Sequence, residues 1–193
     1  MGLPENNLTH PLIIARRGWF GMQFVAWQNV SDWRCRGCGY CCKLYGVVLD
    51  FPEWLHLTQT FGPQTTVAGR SRFFIKRCHD GSCAFLCSTN HNYFCGLQNT
   101  KPQACKLWPF KVLREPKYGD EKQAAYEYRG VKLYVYVDAM CNGLRYGAPT
   151  WEFRNTTVRE FVELALGLWR VQCKTTRGVD GSGLLDRFGT LQF

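Results

Sequence analysis

The stretch Trp33–Leu44 reads W-R-C-R-G-C-G-Y-C-C-K-L, and it constrains this chain more than any other. Cys35, Cys38, Cys41 and Cys42 stand three, three and one residues apart, so two Cys-x-x-Cys steps share Cys38. A metal that takes thiolates holds them close, at about 2.3 Å for zinc, so several ligands must converge on one small sphere. A Cys-x-x-Cys turn achieves this, and Gly37 and Gly39 suit the positive-φ backbone it needs. In the C-x₂-C-x₂-C run of bacterial ferredoxins the fourth cysteine reaches a different cluster. Cys42 is expected to point away from the site of Cys35, Cys38 and Cys41 in the same manner. The competing reading is a buried thiol patch or a disulfide framework. A Cys41–Cys42 bridge is strained, because neighbouring Cα atoms lie about 3.8 Å apart and an ordinary bridge spans about 5.5 Å.

The compartment follows from the cysteines. Eleven of them in 193 residues is an odd count, which argues against a complete disulfide set. The start of the chain lacks a basic segment followed by a long apolar core and a small-residue cleavage site, so no secretory signal is read there. The longest apolar-rich stretch, 158–171, is interrupted by Arg159, Glu160, Glu163 and Arg170 and does not read as a membrane span. A reducing, cytoplasmic location is expected, where clustered cysteines mean metal or redox chemistry.

The formal charge of +9 treats the thiols as neutral. Four thiolates on one Zn²⁺ or one [4Fe–4S]²⁺ core leave a site at −2, so one such site lowers the total to +7 and two lower it to +5. Residues 35–110 carry eight Lys/Arg against three Asp/Glu, so much of the excess lies around the cysteines and offsets thiolate charge. A nucleic-acid footprint is correspondingly less compelling than the isoelectric point suggests.

In chain order, residues 1–18 read as an extended arm with Pro4 and Pro11, and Trp19–Val30 as an aromatic strand or short helix that walls off the metal site. Tyr45–Leu49 reads as a short buried strand. Asp50-Phe-Pro-Glu marks a helix start, with Asp50 as N-cap, and the helix is expected to run to Thr60 and stop at Gly62-Pro63. Residues 62–71 read as a loop, 72–77 as a strand, and 78–110 as loop-rich structure held by a metal. Ala124–Val137 reads as a β-hairpin turning at Arg129-Gly130, with Tyr126, Tyr128, Tyr134 and Tyr136 available as cross-strand pairs. Its plain role is structural; the alternative is a stacking platform for bases. Thr157-x-x-Glu160 resembles a capping box opening a helix to Cys173, apolar on most sides and so buried or docked on a partner. The tail from Thr175 is expected to be mobile.

Further cysteines lie in G-S-C-A-F-L (81–86), Y-F-C-G-L (93–97), K-P-Q-A-C-K-L-W-P-F (101–110) and C-N-G (141–143). With the opening C-x-x-C-x-x-C-C, this order and spacing over residues 33–143 resembles the CxxCxxCC cysteine-cluster family (YkgJ-like), described as zinc- or iron-chelating, or iron–sulfur-containing. Lys101 and Lys106 stand where that family usually has Arg, and Asn142 where Pro is common. The resemblance implies a ligand set of Cys35, Cys38, Cys41, Cys42, Cys83, Cys95, Cys105 and Cys141, with Cys78, Cys87 and Cys173 as spare thiols. It implies a cofactor and brings no reaction with it.

Eight ligands allow two four-cysteine sites or one larger cluster. Zinc held by four cysteines would be structural and without redox chemistry. Trp33, Tyr40, Tyr45 and Trp108 suit a dry shell around either group, and Lys43, Lys101 and Lys106 suit donors to sulfur or neutralising charges. Of the histidines, His10, His56, His79 and His91, His79 lies between Cys78 and Cys83 and reads as a surface loop residue, or as a ligand or proton shuttle. No catalytic triad, phosphate-binding loop or H-E-x-x-H motif is present, so no catalytic residue and no small-molecule substrate can be named.

The expected fold is α+β: a small, irregular, metal-centred domain with a β-hairpin and a C-terminal helix. Residues 1–32 would form an arm and aromatic segment, 33–150 the cysteine-cluster domain, and 151–193 the helix and tail. The expected function is that of an iron–sulfur protein, with a [4Fe–4S] cluster, carrying electrons or serving as redox partner of another enzyme. The alternatives are a zinc-stabilised basic module for RNA or a ribonucleoprotein, and a non-catalytic subunit of a larger assembly.

Overall fold

The computed structural model describes residues 14–15, 24–89, 92–97, 100–169 and 172. Most of the expected N-terminal arm, the first part of the aromatic run, His10, His91, Cys173 and the tail from Thr175 lie outside the described residues.

The fold is α+β. In chain order its elements are β1 (Ile14–Ala15), β2 (Phe24–Ala26), β3 (Val30–Trp33), α1 (Tyr40–Leu44), β4 (Tyr45–Gly46), β5 (Val48–Leu49) and α2 (Phe51–Phe61). There follow β6 (Thr66–Ala68), β7 (Phe73–Ile75), β8 (Leu86–Thr89), β9 (Asn92–Cys95), α3 (Gln103–Leu107), β10 (Phe110–Leu113) and α4 (Glu121–Ala124). The last are β11 (Ala125–Tyr128), β12 (Val131–Asp138), β13 (Leu144–Tyr146) and α5 (Arg159–Ala165).

The longest strand, β12, is the axis of an antiparallel sheet. It pairs with β10, with β11 and with β2, and alternation along it sends Leu133, Val135 and Val137 to one face. That face forms the first core with Phe110, Val112, Trp33, Phe161, Val162 and Leu164. Phe110 stacks on Phe161 at 4.0 Å between ring centres, and Trp33 meets both edge-on. A second core lies under α2 and the small sheet β5–β7–β6, and joins Val47, Leu49, Leu57, Ile75, Phe85 and Leu97. Among the described residues, no helix is long and apolar enough to cross a membrane.

The second helix forms where the sequence places it. The Asp50 carboxylate accepts from the Glu53 N–H at 2.7 Å, and the Glu53 carboxylate accepts from the Asp50 N–H at 3.1 Å, a reciprocal cap. Gly62, at φ 88°, ends it. The hairpin is also where it is expected, with Arg129 and Gly130 at φ 50° and 78°, the doubly left-handed pair of a type I′ turn.

The tyrosine pairing in that hairpin is a correction. A two-residue turn sets Tyr126 opposite Leu133 and Tyr128 opposite Val131. Tyr126 and Tyr128 therefore join the first core, while Tyr134 and Tyr136 face the other side with Ala26 and Ala124. One residue of register decides the face of every side chain.

The C-terminal helix differs at both ends. It opens at Trp151, where the Phe153 N–H donates to the Thr150 hydroxyl at 3.1 Å, winds as a π-helix over Phe153–Val158, and continues as α5. Thr150 is the cap, and Thr157 is a buried residue inside the helix. Gly167, at φ 72°, ends it six residues before the expected stop. There the Leu168 N–H returns to the Glu163 carbonyl at 2.9 Å and the Gly167 N–H to Leu164 at 3.1 Å. Its apolar side, Phe153, Val158, Phe161, Val162 and Leu164, is buried within the chain. Residues 62–71 and 78–110 also hold more regular structure than expected: β6 in the first, the β8–β9 hairpin and α3 in the second. Their runs are too short for periodicity to reveal.

Candidate metal centre

The cysteines arrive at one place from six segments. Cys35 and Cys38 lie in the loop that leaves β3, and Cys41 and Cys42 in α1. Cys83 precedes β8, Cys95 closes β9, Cys105 sits in α3, and Cys141 follows β12 in the turn to β13. All eight line a single cavity of about 120 Å³ between the two cores.

Local geometry explains each placement. Gly39 caps α1 at φ 67°, and a Cβ there would meet the Tyr93 ring at 2.9 Å, so the backbone must be bare. The Gly37 carbonyl accepts from the Tyr93 N–H at 3.0 Å, which docks the loop on β9. The Cys83 N–H donates to the Cys42 carbonyl at 2.8 Å. The Gln103 N–H donates to the Glu53 carboxylate at 2.6 Å, which seats α3 and Cys105 against α2. Around Cys141, the Arg34 N–H donates to the Gly143 carbonyl at 3.1 Å, and the Trp33 indole N–H points at the Cys141 sulfur at 3.3 Å.

Trp33, Tyr40, Tyr45 and Trp108 all line the cavity, and Tyr45 packs on Trp108 at 4.5 Å between ring centres. The lysines divide. Lys101 lines the cavity, and its charge partly opposes the rise that burial imposes on Cys35 and Cys95. Lys43 instead holds its ammonium over the Tyr93 ring, 3.6 Å from the centre, and Lys106 is not among the lining residues. His79 is exposed and lies away from the cavity; the neighbouring Asp80 carboxylate accepts from the Ser82 N–H and hydroxyl. Cys78 is exposed, Cys87 half-buried, and neither lines the cavity.

All ten described cysteines are free thiols, and burial sets their acidity. It pushes Cys83 up to about 11 and raises Cys35, Cys95, Cys105 and Cys141. Cys41 is the exception. Its sulfur lies 3.8 Å from that of Cys42, and the hydrogen bond the two thiols share lowers Cys41 and raises Cys42. Burial thus holds Cys35, Cys83, Cys95, Cys105 and Cys141 against ionisation until a cation is present.

The chemistry of this donor set fits a thiolate-bound metal group. Among the described residues, no three of His, Cys, Asp and Glu are grouped so as to hold a single metal ion. A tetrahedral zinc needs its sulfurs about 3.8 Å apart, whereas a cluster spreads its thiolates over several irons and accepts a wider ring.

Two supports were not visible in the sequence. The Arg77 guanidinium donates to the carbonyls of Lys43 and Tyr45 and so pins the end of α1. The Tyr45 hydroxyl donates to the fully buried Asp138 carboxylate at 3.2 Å. The partners are 32 to 34 and 93 residues apart, and no local pattern announces either.

No family model, curated protein or solved structure matches the chain.

Proposed function

We propose that the chain is a cysteine-ligated iron–sulfur protein that carries electrons or serves as redox partner of another enzyme. The observation that carries this reading is the gathering of Cys35, Cys38, Cys41, Cys42, Cys83, Cys95, Cys105 and Cys141 around one aromatic-walled cavity. A [4Fe–4S] group held there supplies one-electron chemistry at a potential set by burial, charge and hydrogen bonds to sulfur. The chain's own part is to exclude water with Trp33, Tyr45 and Trp108, to offset charge with Lys101, and to direct the Trp33 N–H at the Cys141 sulfur. A reducing compartment and a protein partner belong to the same proposal.

Metal and acid-labile sulfide content of anaerobically purified protein tests it. Four irons and four sulfides per centre, with broad visible absorption, are expected. Protein that lacks both iron and sulfide under those conditions sinks the reading.

The second reading is a zinc-stabilised basic module for RNA. Two observations favour it: the Cys41–Cys42 sulfur separation of 3.8 Å suits neighbouring ligands of one zinc, and Arg34, Arg36 and Lys43 are exposed beside the cysteines. Colourless protein with one or two zincs, and RNA affinity that falls steeply with salt, would put it first.

A further inference from the structure

The eight cysteines share a cavity but not a core. Cys35 and Cys141 pack against the first core, with Trp33, Phe110 and Phe161. Cys42, Cys83, Cys95 and Cys105 pack with the second, beside Leu49, Leu57, Ile75 and Leu97. Several backbone links follow the same division, although the Tyr93 N–H to Gly37 carbonyl bond crosses it. The Arg34–Gly143 hydrogen bond and the Trp33 contact tie the Cys35 loop to Cys141. The Cys83–Cys42 hydrogen bond, the Leu86 N–H donated to the Cys83 carbonyl at 3.0 Å, and the pairing of Leu86 with Cys95 tie the other group together. Cys38 lies exposed at the rim of the cavity, in the same loop as Cys35.

Resting on the metal-binding reading above, we infer that the chain holds two neighbouring four-cysteine centres: Cys35, Cys38, Cys41 and Cys141 hold one, and Cys42, Cys83, Cys95 and Cys105 hold the other. Cys41 is the boundary residue. Its sulfur lies 3.8 Å from that of Cys42, its neighbour in α1. The three-residue steps from Cys35 to Cys41 place it with the first centre, and a four-cysteine count leaves Cys42 to the second. Each ligating thiol gives up its proton to solvent as the metal binds. Held through the adjacent residues Cys41 and Cys42, two such groups would lie close enough to exchange electrons and to interact magnetically.

The test compares metal and sulfide content of the anaerobically purified wild type, Cys141→Ser, Cys105→Ser, and the doubles Cys35→Ser/Cys141→Ser and Cys105→Ser/Cys141→Ser. Each single variant is expected to keep about half of the wild-type metal. The same-centre double should lose no more than its single, and the cross-centre double should lose all of it. Electron paramagnetic resonance of the reduced wild type should show two coupled spins, and either single variant a simple, uncoupled signal. Should Cys141→Ser fail to fold, by circular dichroism, the rim variant Cys38→Ser takes its place with the same expected loss.

A single variant that loses everything, or doubles that lose equal amounts, overturns the two-centre assignment. Zinc without sulfide in the wild type sinks the iron–sulfur reading, yet the same halving pattern, counted in zinc, still decides the assignment. Wild type that binds no metal overturns both.

Discussion

Gly143 and Gly130 show how differently one missing Cβ weighs at two places. A Cβ on Gly143 would stand 2.2 Å from the Arg34 carbonyl oxygen, against backbone that cannot step aside, whereas one on Gly130 meets nothing within 4 Å. Gly143→Ala is therefore expected to cost roughly 3 kcal/mol, the upper end of overpacking. Gly130→Ala should cost only about 1 kcal/mol, from its left-handed backbone. Chemical denaturation of the two variants measures both, and equal losses would contradict the close approach at Gly143. Asp138 makes a pH prediction. Burial raises its carboxyl above the ordinary aspartate value. A group raised in the fold stabilises fully below its unfolded value, and that contribution is lost as pH rises through the folded value. Asp138→Asn removes the buried charge; its carbonyl can take the Met140 N–H, and its amide can donate to the Tyr45 oxygen, reversing the hydrogen bond that Tyr45 gives the carboxylate. It should melt above wild type at neutral pH, with the advantage fading in acid; melting curves across that range that stay parallel would refute the claim.

Elements became legible in the sequence where a local signal was complete. Asp50, Pro52 and Glu53 spell the start of α2, and Arg129-Gly130 the hairpin turn, because each signal lies within four residues. The C-terminal helix shows the limit. Thr157 and Glu160 have the right spacing for a cap, yet Thr150 caps the helix, because Trp151 and Phe153 extend it seven residues upstream and Phe153 enters the core. Thr150→Ala is expected to cost about 1 kcal/mol, read by urea denaturation. An unchanged midpoint would return the helix start to Thr157. The short pieces between 62 and 110 carried no readable period, and only pairing across the fold makes β6, β8 and β9 strands. The resemblance to the cysteine-cluster family, by contrast, implied the eight residues that line the cavity without showing that two cores divide them.

At the scale of the whole molecule, the cavity is where two modest cores face one another. A metal group bound across it by the folded chain alone stabilises that fold by mass action. Chelation is accordingly expected to lower the melting temperature, by several degrees for each kcal/mol lost at this size. A melting temperature that ignores chelator would mean the thiols do not bridge the two cores. The gathering of cysteines from position 35 to position 141 has a further consequence, in time. During synthesis, Cys35 to Cys42 leave the ribosome about a hundred residues before Cys141, an interval of roughly 5–20 seconds at ordinary elongation speed. Until Cys83 emerges, the four leading thiols have no native partners from the later segments. On the two-centre proposal, loading would belong to a late stage, with the set that contains Cys105 complete before the set that waits for Cys141.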